Sequence, residues 1–193
     1  IRERTVIHQS RRFGVNSERS KRVSEFALTF YDKTKGILHN DKGEGRDLLW
    51  AAAKLHACGK HININSYHKH SWYLIKNGEL LGYSQAEHLM VAAIARYHRK
   101  SLPKKRHECW QLLINESQRN LVSDMSLLLR LSSALDRRPE PLISKIAIKA
   151  NNKKVSMELI PTDLGQNLDL EKWSLTKAIL LTKKIKDVDI NIL

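Results

Sequence analysis

Apolar residues recur every three to four positions through the first two thirds of the chain and every second position through much of the rest, so two kinds of packing share one sequence. Val23, Phe26, Ala27, Phe30 and Tyr31 fall on one face of a helix over 17–34, with Asn16 and Ser17 as start signals and Gly36 close behind. Residues 46–58, with Leu48, Ala52 and Leu55, predict a nearly all-buried helix. Gly59 then stands where a left-handed cap would fall, and His56 lies in the last turn. A third helix fits Tyr67 to Lys76, ahead of Asn77-Gly78. A fourth opens at Ser84, whose hydroxyl forms a capping box with Glu87, and runs to about His98. Beyond Pro103 two more helices are predicted, over 106–116 and 121–137, the second built on Met125, Leu128, Leu129, Leu131 and Leu135.

Pro139 and Pro141 mark a change of period. Ile146 and Ile148, then Val155, Met157 and Leu159, alternate with polar residues across an Asn151-Asn152 turn, which predicts a hairpin. A helix at about 169–184 and a strand carrying Val188, Ile190 and Ile192 complete a ββαβ unit. The fold class is therefore mainly α. A helical domain of about six helices over 1–138 precedes a small ββαβ α/β domain over 139–193.

Charge adds a direction to this picture. The 193 residues hold 34 Lys and Arg against 20 Asp and Glu, a formal net charge of +14, and twelve of the fourteen excess charges precede Pro139. Such an imbalance favours a polyanionic partner. No apolar run approaches the ~18 residues of a membrane span, so membrane insertion is not expected. Cys58 and Cys109 are too few for a disulfide framework and suit a reducing cytoplasm, the expected location. The chain begins at Ile1 rather than Met, which suggests a fragment or a processed chain.

Several familiar sites are missing from the sequence: there is no GxxxxGK[ST] loop, no strand followed by GxGxxG, no HExxH and no GxSxG elbow. Histidine is concentrated instead, with His56, His61, His68, His70 and His98 between the second and fourth helices. Neutral imidazole ligates zinc, iron or manganese, and protonated imidazole pairs with phosphate. Acidic ligands are scarce nearby, which argues for phosphate or structural roles over a metal site. Arg96, Arg99, Lys100, Lys104, Lys105 and Arg106 fall within eleven residues that contain no acid. Arg forks onto phosphate oxygens and Lys offers a mobile point charge, so this segment is the candidate phosphate track, with Lys69 and His70 beside it. Trp50, Trp72, Tyr73 and Tyr97 are expected in the core, as is Cys58.

Five separate blocks carry a family resemblance. Leu49-Trp50-Ala51-Ala52-Ala53 through Leu55-His56-Ala57-Cys58-Gly59, Tyr67-His68-Lys69-His70-Ser71-Trp72-Tyr73-Leu74-Ile75, Gly82-Tyr83-Ser84, Arg96-Tyr97-His98-Arg99-Lys100 and Leu129-Arg130-Leu131-Ser132-Ser133-Ala134-Leu135-Asp136-Arg137 occur in that order. Together they resemble the C-terminal region of the exopolyphosphatase and guanosine pentaphosphate phosphohydrolase family. The ββαβ tail agrees with that family's terminal domain.

The resemblance implies a helical part similar to HD-superfamily phosphohydrolases, whose metal site takes an early His, a His-Asp pair and a distant Asp. The distant acid matches Asp136 and the first half of the pair matches His56, but the second half is Ala57. Where the early His is expected, the chain carries Ser20, Lys21 and Arg22. Losing a carboxylate and an imidazole should cripple metal catalysis, so no metal is expected here. The resemblance places hydrolysis, with magnesium, in upstream actin-like domains of the same polypeptide. It leaves this chain a non-catalytic role: binding inorganic polyphosphate or guanosine pentaphosphate and supporting a homodimer. One alternative is an autonomous metal-dependent HD phosphohydrolase using His56, His68, His70, His98 and Asp136. Another is a basic nucleic-acid-binding module, for which the sequence offers charge but no reading helix or aromatic sheet.

Overall fold

The computed structural model describes residues 1–193. Its first helix, α1 (Arg2–Arg12), is one that the apolar pattern does not predict, because Val6 is the only apolar residue among those it buries. Polar contacts hold it instead. Arg2 pairs with Asp47 at 3.0 Å and with Glu87 at 2.6 Å, and the Thr5 hydroxyl donates to the Glu79 carbonyl and accepts the Leu81 N–H.

Helix α2 (Ser17–Lys33) starts where the Asn16 side chain accepts the Arg19 N–H at 3.1 Å, and it buries the predicted face. Helix α3 (Glu44–Leu55) packs against it with Leu48, Leu49, Ala52 and Leu55 fully buried. A 3-10 turn at Cys58–His61 leads to α4 (Tyr67–Asn77), which packs on α5 (Gln85–Arg96). The capping box forms as expected: the Glu87 N–H reaches Ser84 Oγ at 3.2 Å, and the Ser84 N–H reaches Glu87 Oε2 at 2.8 Å. The helix expected over 106–116 shrinks to α6 (Glu108–Gln111), because Asn115 caps the next helix through the Gln118 N–H and so starts it early. That helix, α7 (Glu116–Ala134), meets α2, α3 and α5 and buries Val122, Met125, Leu128, Leu129 and Leu131 together with Ser126 and Ser132.

Strands β1 (Ile143–Asn151) and β2 (Lys154–Pro161) form the hairpin, and β3 (Asp189–Ile192) pairs parallel to β2 on its other side. The turn is centred on Asn152 and Lys153, one residue later than the alternation suggests, and both adopt the positive φ that a two-residue hairpin loop demands. Helix α8 (Asp169–Lys186) makes the parallel crossover and packs on α7. One buried apolar cluster runs from Val6 through α7 to Ile190, so helices and sheet share a core. Cys58 and Cys109 are buried free thiols. Tyr73, expected inside, is exposed. No helix is long and apolar enough to cross a membrane.

Gly59 is not the left-handed cap that its position suggested; it sits inside the 3-10 turn where two backbones meet. A Cβ there would lie 2.0 Å from the Tyr67 carbonyl oxygen and 2.3 Å from the Ser71 nitrogen, while the Ser71 hydroxyl accepts the Gly59 N–H and donates to the His56 carbonyl. Gly59→Ala should therefore lower stability by about 2–3 kcal/mol, the usual scale of overpacking against backbone, read as a lower urea midpoint with unchanged m-value. An unchanged midpoint would show that the α3–α4 approach is slack.

Candidate functional site

The main cleft, about 1340 Å³, opens between the helical part and one side of α8. Its walls come from the α1–α2 junction, the end of α3 and its 3-10 turn, the start of α4, the residues after α5, the end of α7, and Trp173 to Leu181 of α8. Seven cations line it, namely Arg19, Lys60, Arg99, Lys100, Arg130, Arg137 and Lys177. Asp136 is the only carboxylate.

That carboxylate is already occupied. Arg19 Nε donates to Asp136 Oδ2 at 2.9 Å, and Arg22 Nη2 donates to Oδ1 at 3.2 Å. A second guanidinium nitrogen of Arg19 reaches the Asp136 carbonyl at 3.0 Å. The helix expected to bring an imidazole to this acid brings two guanidinium groups instead, so Asp136 adds no net negative field to the cleft.

Two imidazoles lie beside it. The His56 and His98 rings meet edge to face with centroids 4.9 Å apart. His56 Nδ1 donates to the Ala53 carbonyl at 2.6 Å, and His98 Nδ1 donates to the Ala95 carbonyl at 2.5 Å. Those bonds fix the tautomers and leave each Nε2 as an acceptor. His98 Nε2 receives the Tyr67 hydroxyl at 3.0 Å, whereas His56 Nε2 has no partner within the chain. Burial, with Lys60 adding to it, lowers the His56 pKa from 6.5 to about 4. Burial, then His56, lowers that of His98 well below 6.5. Both rings are neutral at pH 7.

The cations are held rather than free. Arg130 donates to the Tyr97 carbonyl at 2.7 Å and the Lys100 carbonyl at 3.0 Å, which fixes the turn carrying Arg99 and Lys100, the latter at φ 61°. Burial alone brings its pKa down to about 10. The Arg99 guanidinium and the Lys60 ammonium lie 4.5 Å and 4.9 Å from the Tyr67 ring centroid. Burial lowers the Lys60 pKa, and Arg19, Arg99 and Arg137 lower it further against the pull of Asp136.

Sequence candidates divide between this cleft and its outside. His56, His98, Arg99, Lys100 and Asp136 line it. Lys69, His70, Arg96, Lys104, Lys105 and Arg106 do not, and neither does His68, a buried ring whose Nδ1 finds no partner. Burial lowers the His107 pKa first, followed by Arg96, Arg106, Lys104 and Lys69, which places those cations around His107. The predicted track thus breaks into two groups of cations. Arg130 and Arg137 belong to the last block of the family resemblance, whereas Arg19, Lys60, Lys177 and Trp173 join the cleft without any linear signal, since they come from three different elements. Only the charge bias of the whole chain hinted at them.

The donor set does not fit a hard divalent ion. No three His, Cys, Asp or Glu side chains converge to hold one, position 57 is Ala, and both oxygens of Asp136 are engaged by guanidinium groups.

Comparison with known proteins gives a family context. The model of Ppx/GppA phosphatase, domain III, matches residues 1–178. A guanosine-5'-triphosphate,3'-diphosphate pyrophosphatase of Pseudoalteromonas translucida (strain TAC 125) is 36% identical over 104 residues, which are 54% of this chain and 21% of that protein. One of Pseudoalteromonas atlantica (strain T6c / ATCC BAA-1087) is 27% identical over 150 residues, 77% of this chain and 29% of that protein. The chain aligns with less than a third of either relative's length.

Neutral buried imidazoles make stability depend on pH with a definite sign. Their folded pKa values lie below the unfolded value of 6.5, so the unfolded chain takes up protons first as pH falls. The melting temperature should be flat above pH 7 and fall between pH 6.5 and pH 4. His56→Gln should flatten that fall in a thermal scan across pH. A wild-type melting temperature that rises on acidification in this window would show the rings to be stabilised as cations.

Proposed function

The chain belongs to the Ppx/GppA phosphatase family, and from that premise we propose that it is a non-catalytic, phosphate-chain-binding part of an exopolyphosphatase-type phosphohydrolase. Its ligand would be inorganic polyphosphate or a related phosphorylated compound such as guanosine pentaphosphate. Magnesium-dependent hydrolysis would belong to actin-like domains elsewhere in the same polypeptide, because the donors in this cleft do not suit the metal. The observation that carries the reading is the composition of the cleft: seven cations against one carboxylate that two arginines already neutralise. Chains of phosphate release counterions when they meet such an array, so attraction is strong and depends on salt.

This reading moves the site from the 96–106 segment to the cleft, which retains only Arg99 and Lys100 of that segment. It also brings in Lys177, from the less charged end of the sequence. Nucleic acid is disfavoured because the cleft is a depression between elements, with no exposed helix or sheet presenting aromatic side chains in series.

Two measurements test it. Lys60, Arg99, Lys100 and Lys177 changed together to Ala should weaken binding of long polyphosphate and flatten the slope of log K against log salt by about 0.7 for each lost contact. Changing Lys104, Lys105, Lys149 and Lys153 together should do little. Equal losses in the two variants would make the attraction a matter of net charge, and a larger loss in the second would return the site to the 104–106 segment. The wild-type chain should also release no phosphate from polyphosphate in magnesium or manganese. Sustained turnover by the pure chain would establish an autonomous enzyme instead.

A further inference from the structure

Helix α8 is apolar on two sides. Leu175, Ala178 and Ile179 are buried on one, while Leu170, Trp173 and Leu181 lie along another at helical spacing, with Lys177 and Lys184 between and after them. Leu180 and Ile185 flank that second stripe. Trp173 is 55% exposed, Leu180 61% and Ile185 43%, so core packing does not account for them. A contiguous run of exposed apolar residues marks an interaction surface. The stripe borders the basic cleft: Trp173, Lys177 and Leu181 form part of the α8 wall, and the far side adds Phe13, Val15 and the exposed Ile64 to its cations.

Charge and shape decide what covers this stripe. Lys177 and Lys184 sit within it, and across the cleft stand Arg19, Lys60, Arg99, Lys100 and Arg137, with Asp136 already paired. The occupant is therefore acidic as well as apolar. A second copy of the chain would bring the same lysines and its own net charge of +14, so like would meet like. A lipid surface is flat, whereas Trp173 and Leu181 line a depression. At about 1340 Å³ the cleft exceeds the ~300–1,000 Å³ of small-molecule sites, which suits a length of polypeptide. Its walls are helices and the loops between them, with no sheet edge to pair an extended strand. A segment that satisfies its own backbone, a helix, is what fits.

We propose that the cleft and the outer stripe of α8 dock an acidic amphipathic helix of a separate protein, its apolar face on Trp173, Leu180 and Leu181 and its carboxylates on Lys60, Arg99, Lys100 and Lys177. The inference rests on the phosphate-chain reading in one respect. A cleft that admits phosphate must open to it, so its cover is a partner that leaves rather than a fixed part of the fold. A phosphate chain takes the cations and leaves the apolar stripe in water. An acidic helix uses both and, because the cations are shared, excludes phosphate while it is bound. The partner thus regulates the same site.

The probe is a fluorescently labelled synthetic helix with Leu at i, i+4 and i+7 and Glu on both flanks, read by anisotropy on the intact chain near physiological salt. It should bind, and a scrambled peptide of the same composition should bind roughly tenfold more weakly, because it keeps the charge and loses the stripe. Leu180→Ser, at an exposed position outside the cleft lining, should weaken the helix by a similar factor and leave long polyphosphate unchanged. Long polyphosphate should displace the helix. Equal binding of the ordered and scrambled peptides, or a helix unmoved by Leu180→Ser, would overturn the docking surface. Polyphosphate binding without helix binding would overturn it too and leave the phosphate-chain reading standing. If the helix bound and polyphosphate did not, the phosphate-chain reading would fall and the proposed exclusion with it. A wild-type dimer in sedimentation that Leu180→Ser dissociates would overturn the inference in favour of a second copy. Binding to phosphatidylglycerol vesicles that Leu180→Ser abolishes would overturn it in favour of a lipid surface.

Discussion

One carboxylate held by two guanidinium groups sets the character of this molecule. Asp136 lies just past the end of α7, and Arg19 and Arg22 come from the first turns of α2, so their pairing closes the helical part where the chain leaves for the sheet. The Asp136 side chain is only 11% exposed, and in such a place an unpaired charge is far more costly than the pair. The same contact decides the chemistry. A carboxylate that would otherwise invite a metal ion is saturated, and what remains around it is positive.

That surplus has an internal cost. Lys60 is pushed toward its neutral form by burial and by three neighbouring arginines, which is the mark of cations placed closer than they would choose. The fold offsets the repulsion with groups that carry no formal charge. The Tyr67 ring lies beside Lys60 and Arg99, and Arg130 spends its donors on two backbone carbonyls. Such partners fix positions without cancelling charge. An anion that enters meets cations already placed, and its binding relieves a repulsion the empty protein has to bear.

What the sequence made legible follows from how local each feature is. The capping box at Ser84 and Glu87 is complete within four residues, and the α2 face within nine, so both could be read directly. Helix α1 could not, because Arg2 and Thr5 hold it through residues 45 to 85 positions away. Gly59 was correctly marked as special but for the wrong reason: the constraint is the approach of the Tyr67 backbone, which no local rule contains. The cleft is the extreme case. His56 and Asp136 were found through the family resemblance, and Arg99 and Lys100 through a run of charge. Arg19, Lys60 and Arg137 meet through the packing of separate helices, and Lys177 and Trp173 join them only once α8 has been laid against those helices.

The placement of α8 is a consequence of sheet topology. Because β3 pairs parallel to β2, the chain must cross over between them, and α8 is that crossover. One side of the helix is bound to be buried against the core, through Leu175, Ala178 and Ile179. The other carries Trp173 and Lys177 and becomes the cleft wall. Ion pairs anchor both ends: Glu171, almost wholly buried, to Arg138 after α7, and Lys186 to Asp124 within α7. The small sheet thus shapes the cleft without lining it, since its strand order obliges a helix to lie where the cleft needs a second side.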